Sequence, residues 1–143
     1  MEKEIEHSLN GKTVLVIGLS KDPQKESHKV AKYLQENGYK IIPVNPTAEK
    51  ILEETVFPSL ERVPNSEKQK IDVINVFRPS EETEAIVDQA IRRFGEEKTK
   101  PVIWLQLGIK NDNAKQKAMK AGFGFVEDRC IKIEHKKRRG TLN

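Results

Sequence analysis

Residues 14–46 read VLVIGLSKDPQKESHKVAKYLQENGYKIIPVNP, and the order of patterns in this stretch decides the fold. Val14 to Ile17 is an unbroken apolar run, as a parallel strand covered on both faces requires. Gly18 ends the run and a polar loop follows. Ser27 is read as the N-cap of a helix whose Val30, Ala31 and Leu34 share one apolar face, with Gly38 as its stop. YKIIPVN is a second strand, in which Pro43 cannot donate to a ladder and is expected toward an edge or a strand end. Strand, turn, amphipathic helix and strand make a βαβ unit, but its turn carries one glycine where a dinucleotide-binding turn carries three.

The same alternation continues outward. ETVFPSLERVP is weakly patterned and predicts one short strand with two prolines as breaks. DVINVF is a strand. RPSEETEAIVDQAIRRF is a helix with Pro79 before it, Ser80 as N-cap, and Glu81 and Glu82 in the first turn, where the helix dipole favours acids. Its Val87, Ala90, Ile91 and Phe94 face the sheet. PVIWLQL is the next strand, and residues 112–121 form a helix with Ala114, Ala118 and Ala121 inward and Gly122 as its stop. FGFVED is the last strand, after which RCIKIEHKKRR begins a short helix that frays. The expected fold is a three-layer α/β domain, a Rossmann-like doubly wound parallel sheet of about five strands with helices on both faces and right-handed crossovers.

At 143 residues the chain is the size of one domain, with residues 1–11 as an N-terminal extension and 136–143 as a basic tail. Hydrophobic residues make up 36% and charged residues 34%, arranged in short periodic runs that read as globular rather than disordered. No apolar run approaches the roughly 18 residues that span a membrane, and the opening MEKEIEHSLNGK lacks a signal-peptide stretch, so a cytoplasmic protein without membrane contact is expected. Lys136, Lys137, Arg138 and Arg139 account for the whole formal net charge of +4 and leave residues 1–135 balanced. Such a run reads as a solvated tail whose removal changes neither fold nor binding, and a nucleic-acid partner is not expected. A single cysteine, Cys130, excludes an internal disulfide, and with His7, His28 and His135 scattered no metal-ligand spacing exists.

In a sheet of this kind the ligand lies beyond the carboxyl ends of the strands, where strand order reverses. That rule selects five loops: Gly18 to Ser27, Asn45 to Lys50, Phe77 to Ser80, Leu107 to Asn111, and Asp128 to Cys130. Aligned on the dinucleotide fingerprint, GLSKDP places Ser20 at the second glycine position and Pro23 at the third. An NAD ribose also wants an acid after the second strand, where this chain has Asn45 and Pro46. The longer loop instead delivers Ser20, Lys21, Lys25, Ser27 and His28 around a helix N-terminus, which suits an anion. The pattern points to a phosphate compound other than NAD.

GLSKDPQKESHKVAKYL, GYKIIPVNP, DVINVFRPSE, WLQLGIKN and DRCIKIEH together closely resemble the single-domain coenzyme A-binding proteins, related to the domain at the front of the succinyl-CoA synthetase α subunit. The likeness runs from about Lys12 to His135. It implies a CoA or acyl-CoA held across the rim of the sheet as a small-molecule ligand. The diphosphate would sit on the turn of Gly18, Leu19 and Ser20 and the following helix N-terminus, with Lys21, Pro23, Lys25, Ser27 and His28 around it. The adenosine end would lie between Asn45, Pro46 and Lys50 on one side and Phe77, Arg78 and Pro79 on the other. Pantetheine would run toward Leu107, Gly108, Ile109 and Cys130, bringing its thiol near that of Cys130. Relatives commonly have alanine at position 19 and arginine at position 25, where this chain has Leu19 and Lys25; lysine keeps the charge but loses the bidentate fork.

Plainer readings stand beside these. Gly18 and Ser20 also suit a simple turn, and Lys21, Lys25 and Lys50 also read as solvated lysines. Phe77 and Trp104 fit a core, Arg78 can pair with Glu81 or Glu82, and Cys130 can be packing alone. The synthetases that share this domain use a phosphohistidine and a nucleotide-binding partner, neither of which these 143 residues are expected to hold. No nucleophile elbow or Ser/His/Asp set is visible, so the expectation is a non-catalytic binding, carrier or sensor module. An NAD(P)-binding redox protein or sensor of the same fold is the alternative. A homo-oligomer or a protein partner stays open.

Overall fold

The computed structural model describes residues 1–140. Five parallel strands form the sheet: β1 (Thr13–Ile17), β2 (Lys40–Val44), β5 (Val73–Val76), β6 (Val102–Leu105) and β7 (Phe125–Val126), in the order β2-β1-β5-β6-β7. Between β2 and β5 the chain makes a small antiparallel pair, β3 (Lys50–Ile51) with β4 (Glu54–Thr55), then a short helix α3 (Asn65–Lys68). The other helices are α1 (Glu2–Leu9), α2 (Glu26–Glu36), α4 (Thr83–Phe94), α5 (Asp112–Lys120) and α6 (Ile131–Arg139).

Alternation along each strand sorts the core into two layers. Val14, Val16, Ile41, Val73, Trp104 and Val126 pack with Ile5 and Leu9 of α1, Val30, Ala31 and Leu34 of α2, and Ile131 of α6. Leu15, Ile17, Ile42, Ile74, Ile103 and Phe125 pack on the other face with Val87, Ala90 and Phe94 of α4 and Ala114 and Ala118 of α5. Both faces of β1, β5 and β6 are buried, which is why these strands are almost wholly apolar. Pro43 sits on the edge strand β2. Its carbonyl points outward and accepts from the Phe57 N–H at 3.0 Å, so the missing donor lies on the outer side of the ladder.

Both chain ends differ from the sequence reading. Residues 2–9 are a helix whose Ile5 is fully buried, so this segment is part of the core rather than an appendage. The basic run does not fray at once: Lys136 to Arg139 complete α6, and residues 141–143 of the expected tail lie outside the described residues. Arg138 pairs with Glu2, with Glu6 at 3.3 Å and with Glu134 at 3.1 Å, and Arg139 reaches Glu6 at 3.1 Å. Acids spaced along α1 face these arginines across the fold, a partnership that a count of local charge hides.

Helix starts also differ. Ser27 lies inside the first turn of α2, which Lys25 caps without a side-chain hydrogen bond. Ser80 opens a 3-10 turn, Ser80–Glu82, and α4 begins only at Thr83. Both hydroxyls are engaged elsewhere, as the site shows.

Candidate functional site at the carboxyl rim

From β1 the chain winds outward to β2, then returns to place β5 on the other side of β1. The switch point is therefore the crevice between the carboxyl ends of β1 and β5, and Gly18 and Phe77 stand at its two sides. Gly18 has a φ of +86°, and a Cβ there would lie 2.9 Å from the Phe77 carbonyl oxygen and 3.0 Å from Arg78 Cδ. Only glycine fits both the backbone and the close approach.

The loop after Gly18 is tied to itself. The Ser20 N–H donates to Ser27 Oγ at 2.9 Å, and Ser20 Oγ accepts from the Asp22 N–H at 3.0 Å. His28 Nδ1 lies 2.9 Å from the Ser20 carbonyl, which can only accept, so Nδ1 carries the proton. Ser27 thus secures the loop rather than capping its own helix. Lys21, Pro23 and Lys25 remain exposed around it. The Gly18 N–H donates to Val44 O at 3.0 Å, so the amides of Gly18 and Ser20 both have protein acceptors. The side chain of Leu19 is fully buried and leaves only its backbone at the turn.

Asn45 joins this loop to the end of β2. Its Nδ2 donates to Leu19 O at 3.0 Å, while its Oδ1 accepts from the N–H groups of Thr47 at 2.8 Å and Ala48 at 3.0 Å. The residue found where a ribose-binding acid would stand is thus spent on fixing two walls of the site. Arg78 lies opposite and holds Glu82 through two bonds, Nε to Oε1 at 3.0 Å and Nη2 to Oε2 at 2.9 Å. The carboxylate raises the Arg78 pKa above its ordinary value. Of the two acids the sequence offered to Arg78, Glu82 is the partner.

These walls enclose a cleft of about 470 Å³ lined by Gly18, Ser20, Asn45, Pro46, Arg78 and Glu82, with Ile17, Val44, Pro58, Ser59, Leu60, Ile86 and Gln89 completing it. The sequence reading missed Pro58, Ser59, Leu60, Ile86 and Gln89. The first three come from the weakly patterned stretch before α3; the isolated parallel bridge from Phe57 to Val44 brings them to the rim, and no local periodicity announces it. Ile86 and Gln89 lie one turn apart on α4.

The remaining expected residues sit elsewhere. Pro23 and His28 line a separate surface cleft with Lys29, Lys32, Tyr33 and Lys132. Lys50 is exposed on β3. Phe77 is half-buried against the α2 layer and Pro79 is exposed. Leu107, 61% exposed, and Gly108 form a turn fixed by the bond from the Gly108 N–H to Asp128 Oδ1 at 2.8 Å, and the Ile109 carbonyl accepts from the Asp128 N–H at 3.2 Å. Ser80 holds this turn to α4, its Oγ accepting from the Lys110 N–H at 3.0 Å, which is why it does not cap the helix. Cys130 is buried at the start of α6. Nearby, the fully buried Asn75 donates to Gln106 Oε1 at 3.2 Å, an atom that also accepts from the Ile131 N–H at 3.4 Å. Among the described residues no group of His, Cys, Asp and Glu could hold a metal ion, and no helix is long and apolar enough to cross a membrane.

The chain is 37% identical over 124 residues to the uncharacterized protein YneT of Bacillus subtilis, covering 87% of this chain and 85% of that one. It is 29% identical over 106 residues to acetate–CoA ligase (ADP-forming) II of Archaeoglobus fulgidus, a match over 73% of this chain but only 15% of the ligase. A hypothetical protein from Pyrococcus horikoshii superposes with a TM-score of 0.84 at 33% identity, covering 97% of this chain and 92% of that one. Residues 12–136 match the CoA binding domain family, nearly the same span as the motifs read from the sequence, and the chain belongs to that family.

Proposed function

We propose that the protein binds coenzyme A or an acyl-CoA across the carboxyl rim of its sheet and acts as a binding, carrier or sensor module rather than as a catalyst. The observation that carries this reading is the cleft at the β1–β5 switch point, where Gly18, Asn45 and Arg78 meet in a chain of the CoA binding domain family. The nucleotide end of the ligand lies in this cleft, against Pro46 and the Arg78 wall. Its diphosphate lies along the loop toward the start of α2, with Lys21 and Lys25 supplying positive charge. Pantetheine extends over Leu107, Gly108 and Ile109 toward Cys130.

Asn45 favours CoA over NAD, because a carboxamide committed to Leu19, Thr47 and Ala48 offers no anionic acceptor pair to a ribose diol. The non-catalytic reading is supported by what faces the cleft: an arginine already matched to a carboxylate, hydroxyls and apolar side chains, none of them arranged as a nucleophile with its base.

Calorimetry with CoA, NAD, NADP and ATP tests the reading. CoA is expected to bind most tightly and to raise the melting temperature; a ligand at a hundred times its Kd stabilises by about 2.7 kcal/mol. Equal or tighter binding of NAD would overturn the assignment.

A further inference from the structure

Glu82 is the feature of the cleft that a phosphate-binding site would not be expected to contain. It is four residues from Arg78 in sequence, lines the same cleft and takes the Nε and Nη2 donors along one edge of the guanidinium. Both side chains are nearly half exposed, 46% for Arg78 and 45% for Glu82, so the pair stands in solvent rather than in the core. An exposed ion pair of this kind is weak. A phosphate offers the same planar fork two acceptor oxygens with more charge.

Arg78 Cδ lies over Gly18, 3.0 Å from where a Cβ would stand, which puts the guanidinium at the mouth of the switch-point crevice. From there it reaches Glu82 on one side and the cleft on the other. Glu82 also has a place to go once released: it precedes α4 directly, where the helix N-terminus favours an acid.

We propose that Glu82 is a built-in stand-in for the ligand's phosphate: it holds Arg78 in the empty site, and CoA binding exchanges the carboxylate for a phosphate group of the nucleotide. Glu82 thereby sets specificity. A ligand end without a phosphate cannot displace it, whereas a phosphorylated one gains a bidentate partner already oriented. This inference rests on the proposed CoA site and adds a selectivity element to it.

A double-mutant cycle tests the exchange, with CoA affinity measured by calorimetry for the wild type, Glu82→Gln, Arg78→Met and the double variant. Methionine keeps a stem over Gly18, and thermal melts of all four confirm folding. Arg78→Met is expected to weaken CoA about 10- to 100-fold, the range for losing a charged hydrogen-bonding partner. Glu82→Gln is expected to tighten CoA about two- to fivefold in the presence of Arg78 and to have no effect in its absence. Arg78→Lys, charged but without the fork, should fall between wild type and Arg78→Met. Pantetheine, which lacks every phosphate, should bind all four proteins alike.

If Glu82→Gln tightens CoA equally with and without Arg78, the carboxylate acts by general repulsion and the exchange is overturned. It is also overturned if Glu82→Gln leaves CoA affinity unchanged or if pantetheine responds to Arg78→Met as CoA does. Failure of the wild type to bind CoA at all would remove the proposed function itself, an outcome distinct from a cycle that binds CoA but shows no coupling.

Discussion

Replacing Gly18 by alanine measures how closely β1 and β5 must approach for the cleft to exist. The nearest neighbour of a new Cβ is the Phe77 carbonyl oxygen at 2.9 Å, with Arg78 Cδ at 3.0 Å. The arginine stem can turn aside. The carbonyl cannot, because the Phe77 N–H is bonded to Ile17 O at 2.9 Å and the whole carboxyl end of β5 would have to move with it. A left-handed conformation costs a non-glycine residue about 1–2 kcal/mol, and overpacking at a stiff site costs about 1–3 kcal/mol more. Alanine's smaller unfolded-state entropy returns about 0.4–1 kcal/mol. The expected net loss is about 1–4.5 kcal/mol, centred near 3 kcal/mol. Gly108 supplies the control: its φ is also +86°, but nothing lies within 4 Å of its Cβ position. Gly108→Ala should therefore lose only about 1 kcal/mol. Urea titrations of the two variants, compared at equal m-values, isolate the close approach as the difference between them. Equal losses at the two positions would refute the argument, and so would an unchanged CoA affinity in Gly18→Ala.

Ser27→Ala removes the acceptor of the Ser20 N–H and should cost about 1–2 kcal/mol by leaving a part-buried amide unsatisfied; it should also weaken CoA, and unchanged melting together with unchanged affinity would refute the role of Ser27 in the loop. Deleting residues 136–143, which the sequence reads as harmless, should instead lower the melting temperature, because it removes the last turn of α6 and the arginines facing α1; the effect of Arg138→Met alone should shrink at high salt, and a salt-independent difference would refute the ionic account. His135 is buried beside Arg139 and hydrogen-bonded to the Tyr33 hydroxyl at 2.7 Å, and burial first, then Arg139, lowers its pKa. The unfolded chain therefore takes up the His135 proton first, and stability should fall as pH drops below about 6.5, before the carboxylates titrate. Comparing wild type with His135→Gln by denaturant melts between pH 7 and 5 checks the sign, and a wild type that gains stability relative to the variant over that interval would refute it.

The alternation of apolar strands with amphipathic helices was legible in the sequence because burial on both faces writes itself locally: Val14 to Ile17 and Val102 to Leu105 are continuous apolar runs, Val73 to Val76 is apolar but for Asn75, and α2 and α4 repeat their apolar face every three to four residues. The same signals placed Gly18, Asn45 and Arg78 at strand ends, and a parallel sheet brings such ends to one rim. What each polar group bonds to was decided only by the tertiary structure. A serine near a helix start can cap its own helix or serve a neighbouring loop; Ser27 gives its oxygen to Ser20 and Ser80 gives its oxygen to Lys110, and spacing along the chain does not distinguish these uses. The arginines of α6 read as a tail because Glu2 and Glu6, the acids that tie Arg138 to the rest of the fold, lie more than 130 residues away, on α1. The stretch from Pro58 to Leu60 carries no period, yet one bridge to Val44 makes it a wall of the cleft. Secondary structure follows from periodicity within a few residues, whereas hydrogen-bond partners and cleft walls follow from which elements the packed core brings side by side.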